Sequence, residues 1–356
     1  MKFIIYAVIL SSLYSGVVYS KMSEIKSNQW DGYNNPFKMD PNFISAFNSL
    51  PLEGEIGSSS LAWGDSYWPN NKGSIAWRWT STNPQNFRYT SPSMYTAQGM
   101  TEKELNELSP AEKYDLYVGS YDYPTVKKVW SVTSPSAPTW YGICHGIAPA
   151  SLHHTEPDTL DVINNDGIKI RFYSSDVKAL LGHHYARESK NGIIQVGKRC
   201  FFRGFGSACS DVNAGSFHII LGNKLGISKT GFVADIDRFK QVWNHAAISY
   251  TSTILGEAHL SDISSILAVK RIKINTTVKY TASIDPSKTP IMGSDLEKYD
   301  IRKYAYYLEL DENEKIVGGS WISYERPDFL WYKKKDEFEG HWSKLYEIYK
   351  PTKFFN

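Results

Sequence analysis

The sequence predicts an α+β fold, and two contrasts between its halves carry that expectation. Helix-start signals fall in the first half, where Thr101 with Glu104 and Ser109-Pro110 with Glu112 each place a capping hydroxyl three residues before a glutamate. In the second half Ile272, Ile274, Thr276, Val278 and Tyr280 alternate with polar residues, the period of a half-buried strand. Helices first and antiparallel strands later imply segregated layers rather than an alternating parallel sheet.

Taken in order, the first twenty residues read as a secretory signal. Lys2 gives the positive start, Phe3 to Leu13 the apolar run, and Val18 and Ser20 the small residues before a cut at Lys21. The run is too short for a stable span, so a secreted or periplasmic chain is expected, with no membrane contact once the signal is removed. Residues 21–60 are polar and turn-rich and read as an N-terminal arm; residues 61–350 read as a single catalytic domain. Between Trp63 and Trp79 five tryptophans and tyrosines surround turn residues, and such a segment must lie against something larger to bury them.

A further helix is predicted from Ser175 to about Arg187, where Val177, Leu180, Leu181 and His184 share a face. Asn164-Asn165-Asp166-Gly167 between Val162-Ile163 and Ile168-Ile170 predicts a hairpin turn, since Val162 stands where a calcium loop needs its first ligand. The run Phe217-His218-Ile219-Ile220-Leu221 reads as a strand pairing with a second strand over 232–237. Tyr304, Tyr306, Leu308 and Leu310, then Ile316 and Val317 beyond Asp311-Glu312-Asn313-Glu314, form a hairpin with a longer loop.

Composition excludes some partners. Net charge is +2 with both signs interspersed, which gives no reason to expect nucleic acid or an anionic membrane. Adjacent histidines, His153-His154 and His183-His184, do not share one side of a helix or strand, so no metal site and no cofactor is expected; a calcium requirement is not legible in the residues. A monomer is expected.

Chemistry points to Cys144. Of the three cysteines, Cys200 and Cys209 stand nine positions apart and are expected to pair in an exported protein, which leaves Cys144 as a free thiol between Gly142 and Gly146. A cysteine nucleophile needs a base and a group to orient that base. His218 is the best-placed histidine, and the strand pairing above brings Asp235 within reach of it, with Asp237 on the same face as the alternate. Cys144, His218 and Asp235 are thus the candidate triad. The plainer alternative is a buried structural cysteine and a core histidine.

Eight blocks in order then carry a resemblance. They are W-G-D-S-Y-W-P (63–69), L-S-P-A-E-K-Y-D (108–115), W-Y-G-I-C-H-G-I-A-P-A-S (140–151), C-S-D-V-N-A-G-S-F-H (209–218), G-F-V-A-D-I-D (231–237), V-W-N (242–244), I-V-G-G-S-W (316–321) and R-P-D-F-L-W (326–331). The chain resembles the elicitor-type transglutaminases of plant-pathogenic oomycetes and their bacterial relatives. The resemblance implies a papain- or transglutaminase-like Cys-His-Asp arrangement with Cys144 as nucleophile, His218 as base and Asp235 as third member. It also implies a disulfide between Cys200 and Cys209. The implied activity is acyl transfer from protein-bound glutamine to a lysine or other primary amine through a cysteine thioester. A cysteine peptidase or amidase with the same residues, or a non-catalytic surface or cell-wall-binding protein, are the competing functions. One departure is local: after Val242-Trp243-Asn244 the oomycete proteins continue Gln-Pro-Val into the peptide that plant receptors recognise, whereas this chain continues His245-Ala246-Ala247.

Overall fold

The computed structural model describes residues 30–57, 62–81, 83, 86–199 and 211–349. The signal-like segment 1–20 and the pair Cys200 and Cys209 lie outside the described residues. Among the described residues no helix is long and apolar enough to cross a membrane.

Short helices occupy the first half. Strand β1 (Glu53–Glu55) precedes α1 (Met94–Gly99), α2 (Glu102–Asn106), α3 (Pro110–Tyr117), α4 (Pro124–Ser131) and α5 (Cys144–His153). Both predicted capping boxes form: Thr101 Oγ1 accepts from Glu104 N while Glu104 answers Thr101 N, and Ser109 and Glu112 do the same for α3. The predicted hairpin follows as β2 (Leu160–Ile163) and β3 (Lys169–Phe172), with Gly167 at φ +80° and Asn164 Oδ1 accepting from Asp166 N and Ile168 N. Helix α6 (Ser174–His183) runs on into a π-helical turn over His184–Glu188.

Helix α6 is what buries the aromatic segment 63–79. Trp79 Nε1 donates to Asp176 Oδ1 at 2.9 Å, Lys178 Nζ donates to the Gly64 carbonyl at 3.3 Å, and Ser175 Oγ donates to Asp65 Oδ1 at 2.5 Å. Two ion pairs with no exposed side-chain surface close this layer, Lys113–Asp176 at 2.6 Å and Lys178–Glu156 at 2.5 Å. Removing one member of such a pair strands the other charge, so the layer tolerates loss of neither partner alone.

An antiparallel sheet of eight strands fills the rest. Its strands are β1, β4 (Ile193–Gly197), β5 (Phe232–Asp235), β6 (Asn244–Ala258), β7 (Lys270–Thr281), β8 (Tyr299–Leu310), β9 (Ile316–Trp321) and β10 (Phe329–Lys333). The order is β4-β10-β5-β6-β7-β8-β9, with β1 beside β6 next to β5. Met39, Phe47, Leu50 and Ile56, from the described part of the predicted arm, join the apolar core on one face.

One predicted strand is a helix. Residues 217–221 lie in α7 (Ala214–Leu221), started by Asn213, whose side chain accepts from Gly215 N. A five-residue apolar run does not separate a strand from a helix buried on every side, and α7 is buried along its whole length. Strand β5 therefore pairs with β6 and β10, not with residues 217–221.

This topology puts α5 and α7 on opposite faces. Along β5, Val233 packs with Trp331 and with Ala148 of α5. Its neighbours Phe232 and Ala234 face the cluster that holds Phe217 and Ile220 of α7.

Candidate active site

Cys144 is the first residue of α5 and is 6 % exposed. Its seat is fixed by glycines on either side. A Cβ on Gly142 would run into the Tyr67 carbonyl oxygen, and one on Gly146 into the Gly182 carbonyl of α6. Ile143 N donates to Tyr67 O at 2.7 Å and Asn70 N to Tyr141 O at 2.8 Å, so the segment 67–70 is laced to the approach to the helix. Pro149 lies inside α5, which runs through it to His153.

The thiol faces the start of β6. Asn244 Nδ2 lies 3.8 Å from Cys144 Sγ, as does the carbonyl oxygen of Val242, the thiol's acceptor. Asn244 is itself held, because its Oδ1 accepts from Trp331 Nε1 at 2.7 Å. Burial pushes the Cys144 thiol up; donation from Asn244 pulls it down, and the charge of Asp235 adds to the rise.

Asp235 is the cross-strand partner of Asn244. Its Oδ1 accepts from Trp243 N at 2.8 Å and Asp237 N at 3.3 Å, while its buried Oδ2 has no hydrogen-bond partner among the described residues. Burial raises this carboxyl to about 7, against the pull of those two backbone donors. Asp237, the alternate third member, is committed to a turn, accepting from Phe239 N at 2.6 Å.

His218 is elsewhere. It sits in α7, fully buried, with Nδ1 and Tyr306 Oη 2.8 Å apart and its ring 5.9 Å from that of Phe47. Tyr306 Oη continues to Thr276 Oγ1 at 2.6 Å, and Thr276 to Ser252 Oγ at 2.7 Å. Its Nε2 has no partner among the described residues, and burial alone lowers its pKa to about 4. The structure thus sets Asp235 beside Asn244, the residue that faces Cys144, and leaves His218 on the other face of the sheet, so the three make no hydrogen-bonded triad. His145, next to Cys144, is lowered to about 4 by burial and by Arg187 and Lys333.

A cleft of about 250 Å³ opens over Cys144, walled by Trp140, Tyr141, Asn70, Arg187 and Arg199. His153 and His154 have structural partners: His153 Nε2 meets the Lys333 carbonyl at 2.7 Å and His154 Nε2 the Tyr185 hydroxyl at 3.2 Å. Among the described residues no three His, Cys, Asp or Glu side chains group as metal ligands.

The family model for transglutaminase elicitors matches residues 125–339, more than half of the chain and all of the site around Cys144 except the segment 67–70. The chain belongs to the transglutaminase elicitor family. Its fold is similar to that in the crystal structure of the GP42 transglutaminase from Phytophthora sojae, with TM-score 0.63 and 21 % identity, covering 85 % of this chain and 91 % of that one. No curated protein matches the chain. Family membership accords with the mixed helical and antiparallel-sheet architecture.

Sequence reasoning missed Asn244, Trp331 and Tyr67 as members of the site. All three stand in the blocks that carry the family resemblance, V-W-N, R-P-D-F-L-W and W-G-D-S-Y-W-P, and that was the available signal. Their role emerges only once β6 and β10 are registered against β5.

Proposed function

We propose that this chain is a secreted protein-glutamine γ-glutamyltransferase whose nucleophile is Cys144. The observation that carries the reading is a free thiol at a helix start facing a fixed amide donor, with a carboxyl raised to about 7 across the strand pair from that donor.

Cys144 Sγ attacks the γ-carboxamide carbon of a glutamine, and Asn244 Nδ2 is available to the oxyanion that forms. The carboxylate of Asp235 takes the thiol proton and returns it to the departing amine, so ammonia leaves and a thioester remains. A primary amine then attacks the thioester, Asp235 takes its proton, and the thiol regains one as the isopeptide bond forms. A carboxyl near 7 suits both directions of transfer at neutral pH. Walls formed by Trp140 and Tyr67 limit the water that would otherwise hydrolyse the thioester.

The test is incorporation of a fluorescent primary amine into a glutamine-bearing protein, with and without chelator, by wild type and Cys144→Ala. Incorporation lost in the variant is expected. Release of ammonia with no amine incorporated identifies a hydrolase instead, and a thiol inert to iodoacetamide until denaturation identifies a binding protein.

A further inference from the structure

Two clefts flank Cys144, and their walls share a charge. The smaller one carries Arg187 and Arg199. A larger one, about 720 Å³, is lined by Trp77 and Trp79 and carries Lys72, Lys298 and Asp285. The two are linked past the nucleophile, since Tyr67 and Ser283 line both the larger cleft and the narrow gap at Cys144. Four cations thus line the two clefts against one carboxylate there, Asp285, and the buried Asp65 in the gap between them, in a chain whose basic and acidic residues nearly balance at 39 to 37. Arg187, Lys72 and Lys298 are exposed, so their charge projects into the space a substrate would fill.

The walls are aromatic as well as cationic. The rings of Trp77 and Trp79 lie 5.7 Å apart, and those of Trp140 and Tyr141 4.4 Å apart, each pair half-buried or exposed beside one of the clefts. Arg199 lies over the Trp140 ring at 5.5 Å. Rings of this kind grip apolar or backbone groups at low entropic cost, while the cations select the sign of what lies between them.

We infer that the acyl donor is an extended, acidic glutamine-bearing segment of a protein, with Asp or Glu on both sides of the reactive glutamine. The inference rests on the acyl-transfer reading and names the substrate class of that site. A lysine-rich donor would place like charges against Arg187 and Arg199 on one side and Lys72 and Lys298 on the other.

Three glutamine peptides of equal length, flanked by glutamates, serines or lysines, separate the outcomes. With a fluorescent amine as acceptor, kcat/KM for the glutamate-flanked peptide should exceed that for the lysine-flanked one at least tenfold at low salt. The gap should narrow as salt rises, and in Arg187→Glu/Lys298→Glu it should collapse or reverse. Equal rates, or preference for the lysine-flanked peptide, overturn the inference while leaving acyl transfer intact. The same peptides are titrated against Cys144→Ala by fluorescence anisotropy. If no peptide is labelled, the acyl-transfer reading fails. Preferential binding of the acidic peptide would then still support the charge selection, and indiscriminate binding would sink it.

Discussion

Asn244 donates toward the sulfur of Cys144 and is itself clamped from behind, by the indole of Trp331. The clamp matters because a free asparagine amide rotates and flips, whereas Oδ1 held at 2.7 Å leaves Nδ2 only one direction to point. The donor is therefore set before substrate arrives.

Asn244→Ala should lower kcat/KM for amine incorporation by about 10²-fold, the scale of losing one preorganised donor at an oxyanion. Trp331→Phe keeps the ring volume but frees Oδ1, and should cost roughly tenfold, mostly in kcat. Steady-state kinetics of both variants, with circular dichroism to confirm folding, check this. An unchanged kcat in Asn244→Ala would remove the amide from the mechanism.

His218 separates the triad expected from sequence from the site described above. With its ring in the α7 core and bonded to Tyr306, His218→Gln should leave the iodoacetamide rate of Cys144 within about twofold and lower stability by about 1–3 kcal/mol. Its pKa of about 4 lies below the ordinary 6.5, so the unfolded chain binds the extra proton first. The stability this residue supplies is full above 6.5 and drains away as pH falls toward 4. Urea melts of wild type and variant at pH 7 and pH 5 should show the gap between them narrowing at pH 5. A hundredfold slower alkylation in the variant would restore the histidine to the chemistry.

Asp235 makes the opposite prediction. Its carboxyl near 7 lies above the ordinary 3.8, so the native state holds the proton longer than the unfolded chain does. Its contribution to stability is full below 3.8 and declines as pH rises to about 7. Activity runs the other way, because the ionised form accepts the thiol proton, and kcat/KM should rise with pH through about 7. Asp235→Asn should flatten both dependences and cut kcat/KM by 10²–10⁴-fold. A variant that keeps the wild-type pH profile would assign that limb to another group.

Much of the architecture could be read from local signals. The capping boxes at Thr101 and Ser109, the turn at Asn164, the alternation in β7 and the β8–β9 hairpin each depend on residues within a few positions of one another. Such signals survive without tertiary context. The stretch 217–221 failed because its apolar residues meet core on every side, which erases the period that tells helix from strand. The error then spread to the site. A strand at His218 would have lain beside Asp235, and the observed helix lies across the sheet from it. Cys144 and Asp235 stood out by composition and pattern, whereas Asn244 and Trp331 come beside Cys144 through a cross-strand register that no single segment encodes.

Asn244, the last residue of the V-W-N stretch, opens β6, and the start of that strand has a last consequence. Asn244 to Ile248 are buried, with β5 along one edge up to Ala247 and β7 pairing along the other from Ala247 onward, and Asn244 also lies against Cys144. An antibody that recognises residues 244–248 alone therefore has no exposed epitope on the native protein. It should stain the chain on a denaturing blot and fail to capture it from solution. The start of β6 is in this sense a cryptic antigen, displayed only after the molecule has been unfolded or digested.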